Sequence, residues 1–266
     1  MDVAQILLVN AGIAALTFLF AWAIAVAIKD VTFVDAYWAF GMVIIALSSF
    51  VITPGAGVHK LALTAISVVW GVRLGSYLLW RWRKQGPDRR YLTMLGRAKT
   101  ERGWNFATAS LLLVFALQAP LQFIVCLPVQ LGQIDATTAE LGPLGWTGVA
   151  LAVAGIGFES VGDWQLAHFR ADPANSDKVM QSGLWRYTRH PNYFGDACTW
   201  WGLYLIAAET PFGVWAAPGP LLITFLLTKW SGVPTTERRL RKHRAGYADY
   251  AKRTSGFIPW PPRASP

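Results

Sequence analysis

Seven long apolar runs, at roughly 5–28, 33–52, 61–80, 106–129, 141–168, 194–209 and 211–231, constrain this chain more than any other feature. Several approach or exceed the ~20 apolar residues that cross a bilayer. The hydrocarbon layer holds no water to satisfy backbone N–H and C=O groups, so such runs must be helical. Composition agrees: 54% of residues are hydrophobic and 15% charged, against about 45–50% and about 25% in soluble domains. The expectation is an all-α integral membrane protein, a seven-transmembrane-helix bundle forming a single membrane domain over residues 1–266. The first run has no basic segment before it, since 1–5 carries only Asp2, so it reads as a retained span. The short segment at Glu209, Thr210 and Pro211 predicts a tight hairpin between the last two spans.

The charge is unevenly placed. Of 24 Lys and Arg residues, 21 fall in the segments after the third and fifth spans and in the C-terminal tail, while Lys60 is the one cation expected on the opposite side. The positive-inside rule then puts the N-terminus outside and the C-terminus in the cytoplasm. Residues 235–253 predict an amphipathic basic C-terminal helix lying at the interface. Attraction to membrane lipids and topology account for most of this charge. Nucleic acid is excluded as a partner because no recognisable binding module accompanies the basic residues. Cys126 and Cys198 lack CxxC spacing, so no disulfide framework and no metal site is expected. No protein partner is implied.

Polar groups within apolar spans mark function. Asp35 opens the second span in Phe33-Val34-Asp35-Ala36-Tyr37-Trp38, and Arg73 lies inside the third with Tyr77 one turn on. Asp35, Tyr37 and Tyr77 can line a pocket, a carboxyl and phenols polarising a carbonyl and supplying a proton. Trp38 and Arg73 are the accompanying substrate-contact candidates. A structural Asp35–Arg73 pair is the plainer alternative. Glu159 and Asp163 share one face of the fifth span at i, i+4, and Arg170 follows on the same helix. Carboxylates so placed accept from hydroxyls or an amine, and an arginine beyond them takes a phosphate.

The stretch Gly183-Leu184-Trp185-Arg186-Tyr187-Thr188-Arg189-His190-Pro191-Asn192-Tyr193-Phe194-Gly195-Asp196 concentrates rings, cations, an amide and a carboxylate between two apolar segments. Arg and His meet phosphates while rings stack on flat heterocycles. Neither a Rossmann fingerprint nor a P-loop is present: Gly155-Ile156-Gly157 does not complete GxGxxG and sits in an apolar run. A dinucleotide would have to be held by membrane helices and their loops.

These residues together resemble the steroid 5α-reductase-like family of polytopic membrane reductases, in its bacterial branch. The similarity is carried by Glu159, Asp163 and Arg170, by 183–185 and 189–196, and by Glu237 and 247–250 through Pro259. It implies that the C-terminal half, 141–266, binds NADPH, and that the N-terminal half, 1–130, encloses a steroid or other enone lipid. Asp163, Arg170, Asn192 and Asp196 match family positions that contact the cofactor; Glu159 stands where eukaryotic members have an amide. Trp185, Arg189, His190, Tyr193, Glu237, Arg241 and Tyr247 complete the implied cofactor set. Asp35 replaces the acid of the family's Gln-Glu pair, and Tyr77 or Arg73 its third-span tyrosine.

The implied activity is NADPH-dependent reduction of the carbon-carbon double bond of a 3-oxo-Δ4-steroid or similar enone, hydride going to the β-carbon. The implied location is the bacterial inner membrane, with the cofactor site facing the cytoplasm. The Arg-His-Pro-Asn-Tyr core also resembles that of isoprenylcysteine carboxyl methyltransferases, which bind S-adenosylmethionine, so a membrane methyltransferase is the rival reading.

Overall fold

The computed structural model describes residues 1–55, 57–137 and 139–263. It is helical throughout, and among the described residues the only extended pairing is an isolated bridge between Thr188 and Ser255. Contacts divide the chain into two compact units, Met1–Trp146 with Leu203–Gly219, and Thr147–Gly202 with Pro220–Pro266.

The first unit begins with α1 (Val3–Ile28), whose start is fixed by a capping box between Asp2 and Gln5. After a turn come α2 (Val34–Ile52) and α3 (Val58–Gln85). These two pack closely because α3 presents glycine: a Cβ on Gly71 would lie 2.8 Å from the Ala39 carbonyl, and one on Gly75 2.7 Å from the Phe40 ring. Inside the apolar layer α1 and α2 are joined by polar groups. Asn10 Nδ2 donates to Ser49 Oγ at 2.8 Å, and Ser48 Oγ donates to Asn10 Oδ1 at 2.8 Å.

The segment between the third and fourth spans, read from sequence only as a basic loop, contains α4 (Arg89–Arg102). Asp88 caps its start by accepting from Arg90 N, and Gly103, at φ 68°, ends it. Tyr91, Met94 and Leu95 recur at helical spacing and pack on a buried cluster of Phe18, Ala21, Ala25, Val31, Val34, Val114 and Phe115. That spacing, between an Asp cap and a Gly stop, was the available signal for the helix.

α5 (Phe106–Val125) starts at an Asn105 cap, contains a π turn at Leu111–Phe115 and carries Pro120 inside it. α6 (Leu127–Leu131) follows, with Pro128 in its first turn. Gln130 Nε2 donates to the Phe123 carbonyl at 2.8 Å, tying α6 back to the end of α5. The start of α7 (Pro143–Ala171) is capped by Glu209, which accepts from Gly142 N at 2.9 Å and Gly145 N at 2.8 Å and meets His59 Nε2 at 2.7 Å. Burial opposes ionisation of Glu209, but the two backbone N–H donors and His59 outweigh it and lower its pKa.

The second unit is built on α7 and α8 (Pro191–Ala207). Their faces meet over small residues: a Cβ on Gly195 would lie 2.5 Å from the Gly155 carbonyl, and one on Gly202 2.5 Å from that of Gly148. α9 (Pro218–Phe225) continues as a π turn, Leu226–Trp230. The amphipathic tail, expected as one helix over 235–253, is two: α10 (Val233–His243) and α11 (Tyr247–Arg253). Gly246 breaks it in the left-handed region at φ 78°.

Among the described residues five helices are long and apolar enough to cross a membrane: α1, α2, α3, α5 and α7. The sixth and seventh apolar runs fold more briefly. α8 has 17 residues and α9 has 8, and the expected tight hairpin is a longer connection holding a 3-10 turn at Gly213–Ala216.

Candidate functional site

In the second unit, buried polar residues face one another across apolar helices. Glu159 and Asp163 on α7 are 3% and 4% exposed, and Asp196 on α8 is 8% exposed. Asn192 Nδ2 donates to Asp163 Oδ1 at 3.2 Å, tying the two helices at this level. Asn192 and Asp196 are themselves one turn apart, so each helix turns an i, i+4 polar pair towards the other. The glycine contact at Gly155 and Gly195 permits this approach, because a side chain there would push the backbones apart. Arg170 lies near the exposed end of α7.

The stretch 183–196 is held by named hydrogen bonds. Trp185 is buried, its indole donating to the Gly162 carbonyl at 3.0 Å, while its own carbonyl accepts from Tyr250 Oη at 2.5 Å. Leu184 N donates to Gln165 Oε1 at 2.9 Å. Arg189 fastens the tail: Nε donates to Glu237 Oε1 at 2.7 Å, and Nη1 to the carbonyls of Ala251 and Thr254 at 2.8 and 2.6 Å. His190 Nε2 is 3.4 Å from Glu237 Oε1, and its ring stacks on Tyr193 at 5.3 Å. Arg241 reaches Glu237 Oε2 at 3.5 Å and lies 6.0 Å over the Tyr247 ring.

Electrostatics follow from this packing. Burial opposes ionisation of Glu237, but hydrogen bonds and charge from His190 and Arg189 hold its carboxyl down at about 2. Burial lowers the His190 pKa despite the neighbouring carboxylate. Burial, with the Glu237 charge, pushes the Tyr247 phenol up.

The first unit holds the expected substrate-side residues. In place of the Asp35–Arg73 pair that was the plainer alternative, Asp35 takes partners from α4: Arg90 Nη2 donates to Asp35 Oδ2 at 3.0 Å, and Tyr91 Oη to Asp35 Oδ1 at 2.6 Å. Arg90 also meets Asp88 at 2.9 Å. Burial, then the Asp35 charge and hydrogen bond, raise the Tyr91 phenol. Tyr37 packs edge-on against Phe18 at 4.8 Å, beside the cluster that Trp38 also joins. Tyr77 stacks on Trp80 at 5.9 Å, with the Arg73 guanidinium 6.0 Å from the Tyr77 ring. Sequence reasoning missed Arg90, Tyr91 and Gln122, whose Nε2 donates to the Trp38 carbonyl at 2.8 Å.

Among the described residues no group of three or more His, Cys, Asp or Glu side chains is arranged to hold a metal. Carboxylates and amides such as these of α7 and α8 are groups that accept from hydroxyls and amines, and an arginine such as Arg170 is a group that takes a phosphate.

A family model described as Protein of unknown function (DUF1295) matches residues 21–254. The chain belongs to this family. The family is associated with steroid 5α-reductase-like proteins. The match runs from α1 through α11. Comparison with curated proteins and with solved structures gives no match.

Proposed function

We propose that this chain is a seven-span membrane reductase that uses NADPH to saturate the double bond of a 3-oxo-Δ4-steroid or similar enone lipid, with its N-terminus outside and its cofactor site on the cytoplasmic side of a bacterial inner membrane. The observation that carries this reading is the buried polar face of α7 and α8. Glu159, Asp163, Asn192 and Asp196 occupy apolar helices where such groups are costly and therefore functional by default. They would accept from ribose and adenine, and Arg170 would meet phosphate. When bound, NADPH supplies hydride.

The stretch 183–196 frames this polar face: Trp185 and Gln165 set its backbone, and Arg189 fixes the tail. On the substrate side, Asp35 is held by Arg90 and Tyr91 and remains, with Tyr37 and Tyr77, in the group proposed to hold the substrate carbonyl and supply its proton. The phenols of Tyr37 and Tyr77 and the Arg73 guanidinium are the donors suited to a substrate carbonyl, beside Trp38.

The test is one titration of the solubilised chain against NADPH, NADH and S-adenosylmethionine, followed by NADPH oxidation with a 3-oxo-Δ4-steroid. Saturable NADPH binding, lost in Asn192→Ala and Asp196→Ala, is the expected result. Binding of S-adenosylmethionine with methyl transfer to a thiol or carboxylate, and no NADPH oxidation, overturns it in favour of the methyltransferase.

A further inference from the structure

α4 has two faces of opposite character. One packs Tyr91, Met94 and Leu95 onto the bundle, with Ala98 buried. The other exposes Arg89, Arg97 and Lys99; Arg102 is exposed at the C-terminal end of the helix, and Arg83 and Lys84 are exposed at the end of α3. Among the described residues none of these six cations has a carboxylate partner; only Arg90 is neutralised, by Asp35 and Asp88. Glu101 is the one acid within α4, exposed beside Lys99 and Arg102, so the surface keeps a clear excess of positive charge and is complementary to an anionic one.

Its position indicates which. The Lys84 ammonium lies 5.3 Å over Trp80, in the last turns of α3, and the Arg102 guanidinium 4.8 Å over Trp104, two residues before α5 begins. Both flanking helices are of membrane-crossing length. Trp at the end of an apolar helix marks the bilayer interface, where long cationic side chains reach the headgroups. Both ends of α4 are therefore tethered at headgroup height. Its 14 residues extend about 21 Å, so the cations form a row rather than converge on one small ligand. Leu92, 56% exposed, adds an apolar contact within that row.

We infer that the basic face of α4, with Arg83 and Lys84, is a docking surface for the anionic phospholipid headgroups of the adjoining leaflet. Through Arg90 and Tyr91 the same helix grips Asp35, so leaflet charge bears on the first turn of α2. The inference is independent of the reaction proposed above.

The test compares the full chain in nanodiscs of phosphatidylcholine with discs containing phosphatidylglycerol, reading amide hydrogen exchange over 89–102. Exchange should slow about tenfold in the anionic discs, and high salt should cancel the difference. The triple variant Arg97→Gln, Lys99→Gln, Arg102→Gln should lose the response while exchanging like the parent in neutral discs. Equal exchange in the two discs overturns the inference. So does equal slowing by inorganic pyrophosphate in neutral discs, which would assign the surface to a soluble phosphate. Should the triple variant unfold, the salt comparison on the parent decides alone.

Discussion

Replacing Glu237 by Gln tests the clamp that joins the tail to the stretch before α8. The carboxylate accepts from Arg189 Nε at 2.7 Å and lies 3.4 Å from His190 Nε2 and 3.5 Å from Arg241. Its pKa falls from 4.5 to about 2, and at ~1.4 kcal/mol for each pKa unit that corresponds to about 3 kcal/mol. The group is only partly desolvated, so screening leaves about 1–2 kcal/mol. The sign is fixed by linkage: a depressed carboxyl stabilises fully above its unfolded value and loses that contribution as pH falls from there towards about 2. His190, whose pKa burial lowers, adds to the acid loss, because unfolding lets it take up a proton below its ordinary value.

The assay is amide exchange over 247–263, the segment whose Ala251 and Thr254 carbonyls Arg189 holds. At neutral pH the Gln variant should exchange roughly five- to thirtyfold faster than the parent, as expected for about 1–2 kcal/mol. The difference should shrink as the parent is acidified below pH ~4.5. Identical exchange at neutral pH, or a difference that does not change with acid, would refute the argument.

Three further outcomes follow from the packing. Gly195→Ala places a methyl 2.5 Å from the Gly155 carbonyl and 2.6 Å from Glu159 N, which should cost about 1–3 kcal/mol and lower the melting temperature by several degrees. Gly157→Ala on the same helix pair, with nothing within 4 Å, should not destabilise, and equal melting of the two variants would remove the close-contact explanation. Glu209→Ala strips the cap from α7 and the partner from His59, an expected loss of about 1–2 kcal/mol measurable by thermal unfolding. Tyr91→Phe removes the 2.6 Å bond to Asp35, about 1 kcal/mol, and should speed exchange over 89–102. If Asp35 only positions α4, Asp35→Asn, which also weakens the Arg90 contact, will speed that exchange at least as much as Tyr91→Phe and leave turnover as Tyr91→Phe does; loss of turnover in Asp35→Asn alone would place it in the reaction.

Local pattern was enough where the physics is local. Apolar length announced the spans because a backbone in hydrocarbon has few alternatives to a helix. The i, i+4 spacing of Glu159 and Asp163 put both on one face without any coordinates, and Asn192 and Asp196 repeat the arrangement on α8. α4 was overlooked because its charges resemble a solvated loop, although Asp88, Gly103 and the apolar spacing between them marked its ends and inner face. Gly246, which splits the tail, was present in the sequence, but whether a glycine breaks or continues a helix depends on the packing around it.

Partnership needed the tertiary structure. The sequence by itself determined a helical, membrane-compatible chain with its cations crowded into a few segments and a few polar groups set in apolar helices. Only the fold decided that Asp35 meets Arg90 and Tyr91, 55 and 56 residues away, rather than Arg73. It also decided that Arg189 spends its guanidinium on Glu237 and on tail carbonyls more than 60 residues later. Helix formation is settled within a few turns by hydrogen bonds along one segment, whereas a buried charge takes whichever partner the packing of distant segments brings within about 3 Å.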